Sequence, residues 1–284
     1  MTIAAPLSRP TSTRCAVCGA EGSTPARLEP GGFSLRECER CGVWAVSPQP
    51  QIERLRSCYE EDYYAPWRRE AAARGRMWRR RLRFLRGVPR GRLVDIGCAE
   101  GAFLEVARAA GFEVVGTELS PHGAARTALR LGMPVHRGEL ASAQFAAGSF
   151  SAVTLWHVLE HVARPHETLA EARRILEPGG RLVVAVPNRR CPIFGAAYRV
   201  ARGEPLHFYH PDDREQHLYH WEPRSLRAAL DLHGFDVVEL TPDPCALGAA
   251  KAAVDLAGRL HTAMAREPRT AAMVAVAQPR GGTS

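Results

Sequence analysis

Lysine is almost absent: Lys251 is the only one among 38 basic residues, so arginine carries nearly all of the formal net charge of +8. A basic excess raises the question of a nucleic-acid partner, because clustered cations release counterions from phosphates. In an arginine- and alanine-heavy chain, composition alone names no partner. Long apolar runs are missing too: no stretch of about 18 or more uncharged apolar residues occurs, so no membrane-spanning helix is expected. The opening MTIAAPLSRPTSTR lacks the basic flank, apolar segment and small-residue cleavage site of a secretory leader. The expected location is cytoplasmic. A secreted disulfide framework is also lacking. Cys15, Cys18, Cys38 and Cys41 form two close pairs, whereas Cys58, Cys98, Cys191 and Cys245 are scattered, which is the arithmetic of a metal site. No internal repeat is visible.

What is present is enough for one α/β domain and a small accessory module, since the chain has 284 residues of which 45% are hydrophobic. Residues 1–14 are rich in Pro, Ser and Thr and offer no periodic apolar face to offset ordering entropy, so they are expected to be disordered. A cysteine module follows over 15–48. Between 49 and 89, apolar and aromatic residues from Ile52 and Leu55 through Tyr63, Tyr64, Trp67, Trp78 and Leu85 recur at mostly helical spacing, which predicts connecting helices. From Gly91 onward short β-rich runs alternate with helical segments, the signature of βαβ units and a largely parallel sheet. Seven strands are expected, at 92–96, 113–117, 134–137, 152–155, 181–186, 236–239 and 272–277. Helices are expected at 102–110, 122–131, 166–175, 223–233 and 249–265, with Gly111, Gly132 and Gly234 placed for left-handed C-terminal caps.

The most informative stretch is Leu93-Val-Asp-Ile-Gly-Cys-Ala-Glu-Gly101, an apolar strand running through a glycine-bracketed turn into a helix. Gly97 allows close approach of the backbone to a ligand, and Gly101 allows helix and strand to pack tightly. The spacing is not the G-x-G-x-x-G of dinucleotide enzymes. Roughly 20 residues on, the next strand ends in Glu118, where a carboxylate can accept from ribose hydroxyls. The two cysteine pairs, Cys15-Ala-Val-Cys18-Gly and Cys38-Glu-Arg-Cys41-Gly, read as two knuckles supplying four sulfurs to tetrahedral Zn2+. With no ligand position left open the zinc is expected to be structural; an iron–sulfur cluster is the alternative, and a redox dithiol would need only one pair.

In order, Asp95–Gly101, the Trp156-His-Val-Leu-Glu-His161 end of the fourth expected strand, and Glu177-Pro-Gly-Gly before the fifth resemble the motif series of class I S-adenosylmethionine-dependent methyltransferases. The resemblance covers roughly residues 90–280 and implies a Rossmann-like seven-stranded sheet whose last strand is inserted antiparallel. It also implies that Asp95, Gly97, Cys98 and Gly101 cradle the methionine part of S-adenosylmethionine. Glu118 and Leu119 would hold the ribose, Glu139 and Leu140 would flank the adenine, and Trp156 and His157 would form the floor under the sulfonium. Members of the family usually carry Asp at the position of Glu139.

A zinc ribbon ahead of such a domain resembles a group of bacterial enzymes associated with glycan or secondary-metabolite assembly. Sugar C-methyltransferases of similar layout carry a further C-terminal domain for which 284 residues leave no room, which favours O-methylation of a small-molecule or glycan acceptor. If the acceptor is a hydroxyl, a histidine is the natural proton acceptor. His157, His161 and His217 are the candidates, with His220 beside them, and each has a structural or orienting role as its alternative. The cluster Arg79-Arg-Arg81, with Arg68, Arg69, Arg74, Arg76, Arg83 and Arg86, reads as a solvated helix face or as a grip on RNA. An RNA methyltransferase and a non-catalytic S-adenosylmethionine-binding scaffold are therefore the competing readings.

Overall fold

The N-terminal cysteines sit in the turns of a small antiparallel meander. In the computed structural model, which describes residues 14–50, 61–243 and 249–281, it consists of β1 (Ser23–Leu28), β2 (Ser34–Cys38) and β3 (Trp44–Ser47). Each knuckle turns back on itself, with Gly19 N donating to Cys15 O and Gly42 N to Cys38 O, both at 2.8 Å. The turns bring Cys15 Sγ to 3.8 Å from Cys41 Sγ and Cys18 Sγ to 3.6 Å from Cys38 Sγ, with all four sulfurs within 4.8 Å of one another. Four thiolates about 2.3 Å from one Zn2+ form a tetrahedron with edges of about 3.8 Å, so the cluster fits the ion.

The expected connecting helices are α1 (Glu61–Arg69) and α2 (Ala71–Arg81), followed by a 3-10 turn over Leu82–Leu85. The expected disorder over 1–13 and the start of the connecting segment, 51–60, lie outside the described residues, while Arg14 pairs with Glu21 in an isolated β-bridge. Next come β4 (Arg92–Ile96), α3 (Ala102–Ala109), β5 (Glu113–Glu118), α4 (Pro121–Leu131), β6 (His136–Arg137), β7 (Phe150–Trp156), α5 (Pro165–Ile175) and β8 (Leu176–Pro187). The last part holds α6 (Pro192–Arg202), β9 (Tyr219–His220), α7 (Pro223–Leu232), β10 (Phe235–Pro242), α8 (Ala249–Ala265) and β11 (Ala272–Pro279).

The main sheet has the order β10-β11-β8-β7-β4-β5-β6. Strands β4 to β8 run parallel, and β11 is antiparallel to both β8 and β10, as the resemblance implied. β7 is buried along its whole length, the near-continuous apolar run that a parallel strand covered on both faces requires. α4 begins where Ser120 Oγ accepts from Gly123 N at 3.1 Å and Pro121 occupies the first turn. It ends at Gly132 in the left-handed conformation. Among the described residues, no helix is long and apolar enough to cross a membrane.

Two features differ from the sequence reading. α6 was not expected, because its apolar residues bury no face of their own. The cysteine module does not end at Pro48 in space: β9, from the segment after β8, becomes the fourth strand of its sheet, pairing Trp44 with His220 and Ala45 with Tyr219. Val46 N also donates to Leu218 O at 3.0 Å. Val17, Cys38, Cys41 and Val43 share one apolar core with Trp221, Leu226 and the strands β7 and β8. Loss of the zinc is therefore expected to loosen the α/β domain as well as the ribbon. A strong chelator, or Cys38→Ser, should lower Tm by at least about 5 °C and diminish the near-UV circular dichroism from buried Trp221. An unchanged melting curve after verified metal removal would show that the ribbon stands without metal.

Candidate active site

The carboxyl ends of β4, β5 and β7 meet at one place, where parallel α/β sheets leave a crevice for ligands. β4 runs into the turn at Gly97, whose φ is +65°; a Cβ there would lie 2.7 Å from Val158 Cγ2. Gly101 has φ +75°, and a Cβ on it would lie 2.8 Å from Thr127 Cγ2. Neither position admits a side chain. Glu118, at the end of β5, is buried and spans two loops, its Oε2 accepting from Ala99 N at 2.7 Å and its Oε1 from Ser120 N at 2.8 Å. Burial pushes the Glu118 carboxyl up from its ordinary pKa, against these backbone donors. Asp95 is buried in β4 and accepts from Thr154 Oγ1 at 2.6 Å. Burial raises its pKa to about 8 in spite of that bond.

Around this junction lies a cavity of about 1160 Å³. Asp95, Gly97, Cys98, Glu118, Leu119, Glu139, Leu140, Trp156 and His157 all line it; of the expected cofactor residues only Gly101 does not, since it sits beneath the turn against Thr127. Leu140 is buried, and Glu139 is ion-paired with Arg164 at 2.6 Å. The opposite wall comes from the connecting helices. Tyr64 stacks on His122 with ring centroids 5.8 Å apart, Arg68 bonds Glu100 at 2.8 Å, and Trp78 and Phe103 pack edge-on or tilted around Trp156.

His157 follows β7 with φ +58°, a conformation that L residues with a Cβ rarely adopt. Its Nε2 lies 3.0 Å from Asp243 Oδ2 and 3.1 Å from an Arg81 terminal nitrogen. Arg81 and Asp243 are both buried; Arg81 Nε donates to Asp243 Oδ1 at 3.0 Å, and a second guanidinium nitrogen closes on Oδ2. The guanidinium also lies over the rings of Trp78 and Trp156, at 4.7 and 4.8 Å. Burial alone would lower the His157 pKa, but Asp243 and Glu160 outweigh it and hold it up at about 9. Burial would likewise raise Asp243, yet Arg81 and His157 keep it well below the ordinary carboxylate range.

Residues 67–240 match a family model described as a methyltransferase domain. The chain belongs to that methyltransferase family. Among curated relatives, the ubiquinone biosynthesis O-methyltransferase of Caulobacter sp. (strain K31) is 33% identical over 157 residues, covering 50% of this chain and 60% of that protein. The chain thus spans about half the length of the curated relatives it matches. Among solved structures, a chain from the complex of the Haloferax volcanii Trm112 methyltransferase activator with a methyltransferase superposes with a TM-score of 0.56 at 19% identity, over 78% of this chain and 97% of that one. A S-adenosylmethionine-dependent methyltransferase from Thermotoga maritima gives 0.54 at 20% identity, over 79% and 99%. At these identities the structures show the fold.

The site of this family member includes residues the sequence reading passed over. Arg81 is buried at the cavity and belongs to no solvated or RNA-gripping face, and Arg74 lies 4.5 Å over the Trp67 ring. The cluster therefore does not present one continuous basic face. Asp243 carried no recognisable spacing signal, and only burial identifies it; Glu160 stands in the Trp156–His161 motif, where nothing in the spacing assigned it a role of its own. Of the histidines, His157, His161 and His217 line the cavity, and the ring centroids of His161 and His217 are 4.8 Å apart; His220 belongs to β9 and is buried in the ribbon's sheet. Burial, reinforced by the neighbouring His161 and His157, holds His217 well below the ordinary imidazole pKa.

Two outcomes are expected. Glu118→Ala should weaken S-adenosylhomocysteine binding at least about tenfold in calorimetry, the size of one charge-assisted hydrogen-bond set. Asp95, whose folded-state pKa is raised, remains protonated where the unfolded chain has ionised, so this residue makes the apoprotein progressively less stable from about pH 4 to about pH 8 and has no further effect above. Thermal melts of the apoprotein across that window should fall more steeply for the wild type than for Asp95→Asn. Parallel curves would mean that Asp95 is solvated.

Proposed function

We propose that the protein is an S-adenosylmethionine-dependent methyltransferase that methylates a hydroxyl of a small molecule. The observation that carries this reading is the gathering of nine expected cofactor residues, His157 among them, with His161 and His217 on one cavity large enough for a cofactor and an acceptor together. The buried Glu118 carboxylate and the side-chain-free turn at Gly97 fit a ribose and a methionine moiety respectively. When bound, the cofactor supplies a methyl group on a sulfonium with its leaving group built in. The chain's part is alignment, exclusion of water and activation of the acceptor oxygen. Tyr63, Tyr64, Trp67 and Trp78 offer an aromatic wall suited to a planar acceptor or to the faces of a sugar ring. His157, whose Nε2 is engaged by Asp243, is suited to shaping the floor, and His161 and His217 are the groups placed to act on the acceptor hydroxyl.

The relatives named for O-methylation in ubiquinone biosynthesis support a hydroxylated aromatic as the first acceptor class to test. S-adenosylhomocysteine is expected to bind with micromolar affinity. With a hydroxylated aromatic that the wild type accepts, His217→Ala should lower kcat by roughly 10²-fold or more while leaving S-adenosylhomocysteine affinity within about twofold. Absence of any S-adenosylhomocysteine binding would overturn this reading.

A further inference from the structure

Beside His157 the cavity wall contains a carboxylate whose position the methyl-transfer chemistry does not explain. Glu160 is fully buried, yet neither of its side-chain oxygens accepts a hydrogen bond among the described residues. His157 Nδ1 stands 3.5 Å from Oε1 and His161 Nε2 4.0 Å from it, both ion-pair rather than hydrogen-bond distances. His157 supplies a cation on one side of this buried carboxylate, but the 3.5 Å gap leaves its oxygens without a close hydrogen-bonded partner and able to take a further cation or donor. Its backbone is fixed, because Glu160 O accepts from Leu218 N at 2.8 Å and Tyr219 N at 3.2 Å. Those two bonds hold the 217–219 segment against the loop that follows β7.

That pairing brings His217 to the carboxylate. One oxygen of Glu160 and one nitrogen each of His161 and His217 lie within 4.8 Å of one another. His161 Nδ1–H donates to Gln216 O at 3.0 Å, so in the neutral ring the lone pair sits on Nε2, the nitrogen that faces Glu160. A ring N–H held by a backbone carbonyl is the usual way in which a metal-binding histidine is oriented. All three residues line the cavity, so a cation among them would have coordination positions open to a ligand bound there.

We propose that Glu160, His161 and His217 form a second metal site, distinct from the cysteine cluster, that holds a divalent transition-metal cation and presents it to the acceptor. Two imidazoles and one carboxylate suit Fe2+, Co2+ or Zn2+, while the four thiolates of the ribbon select zinc. The cation's role rests on the methyl-transfer reading above. An acceptor hydroxyl that coordinates the metal releases its proton to water and remains as a metal-bound oxygen, with the lone pair that would form the new C–O bond as the C–S bond of the donor breaks. The substrates favoured are those with two adjacent oxygens able to chelate, such as catechols and hydroxyketones. The histidines then serve as ligands and need not accept the proton themselves.

The test is a titration of the full-length, zinc-loaded protein with Co2+, followed by visible absorption. One equivalent of cobalt is expected, with d–d bands and without the intense thiolate-to-metal charge transfer that exchange at the ribbon would produce. Glu160→Gln and His217→Ala should each weaken cobalt binding at least tenfold, whereas Glu139→Gln, on the same cavity, should not. Saturable binding that is absent in the wild type, or equal in Glu160→Gln and His217→Ala, overturns the site. S-adenosylhomocysteine calorimetry on the same samples separates the two ideas: cobalt binding without it keeps the metal and removes its methyl-transfer role, and the converse removes the metal alone.

Discussion

The cavity depends on a buried ion pair. Arg81 at the end of α2 and Asp243 just past β10 come from segments 162 residues apart and meet with almost no solvent contact. Neither charge could be carried into this interior alone, because desolvation costs several kcal/mol per ion and only a close, multiply bonded partner offsets it. The pair also fixes what lies beside it. His157, in a left-handed conformation, rests its Nε2 on the same carboxylate, and the guanidinium lies against the rings of both Trp78 and Trp156. Roof, sheet edge and floor are thus held to one point, and the aromatic wall follows from it.

A similar economy joins the ribbon to the α/β domain. A meander of three short strands buries little by itself, and domains of this size usually need a metal. Here the meander gains a fourth strand from the segment after β8, and its cysteines pack into the core that β7 and β8 share. The bonds from Leu218 N and Tyr219 N to Glu160 O tie that strand to the loop after β7. The ribbon thereby helps to set where His217 stands in the cavity. This gives the zinc module a physical link to the site without any zinc ligand lining the cavity.

Much of the frame was legible because it is local. The alternation of apolar runs and amphipathic helices sets the seven-stranded sheet, and the glycines at 97 and 101 mark a turn that no side chain could occupy. The two C-x-x-C-G knuckles declare the sulfur cluster by spacing alone. α6 is not legible in the sequence because its apolar residues commit to no buried face, and β6, at the edge of the sheet, pairs with β5 through His136 and Arg137 alone. Nothing in a run of arginines distinguishes Arg81, the one that turns inward, from neighbours that read equally as a solvated face or a grip on RNA.

The sequence by itself determined the α/β class and the sulfur cluster, each written as a periodicity or a spacing within a few tens of residues, while the residues that border the crevice followed from the resemblance of its motif series to the class I methyltransferases. Only the tertiary structure decided which charges are buried, which histidines share the cavity and that β9 completes the ribbon. Those outcomes join segments 55 to 176 residues apart, as with His161 and Gln216 or Trp44 and His220. Burial and partner distance are properties of the folded chain, and they alone turn Glu160 from one acid among many into a candidate ligand.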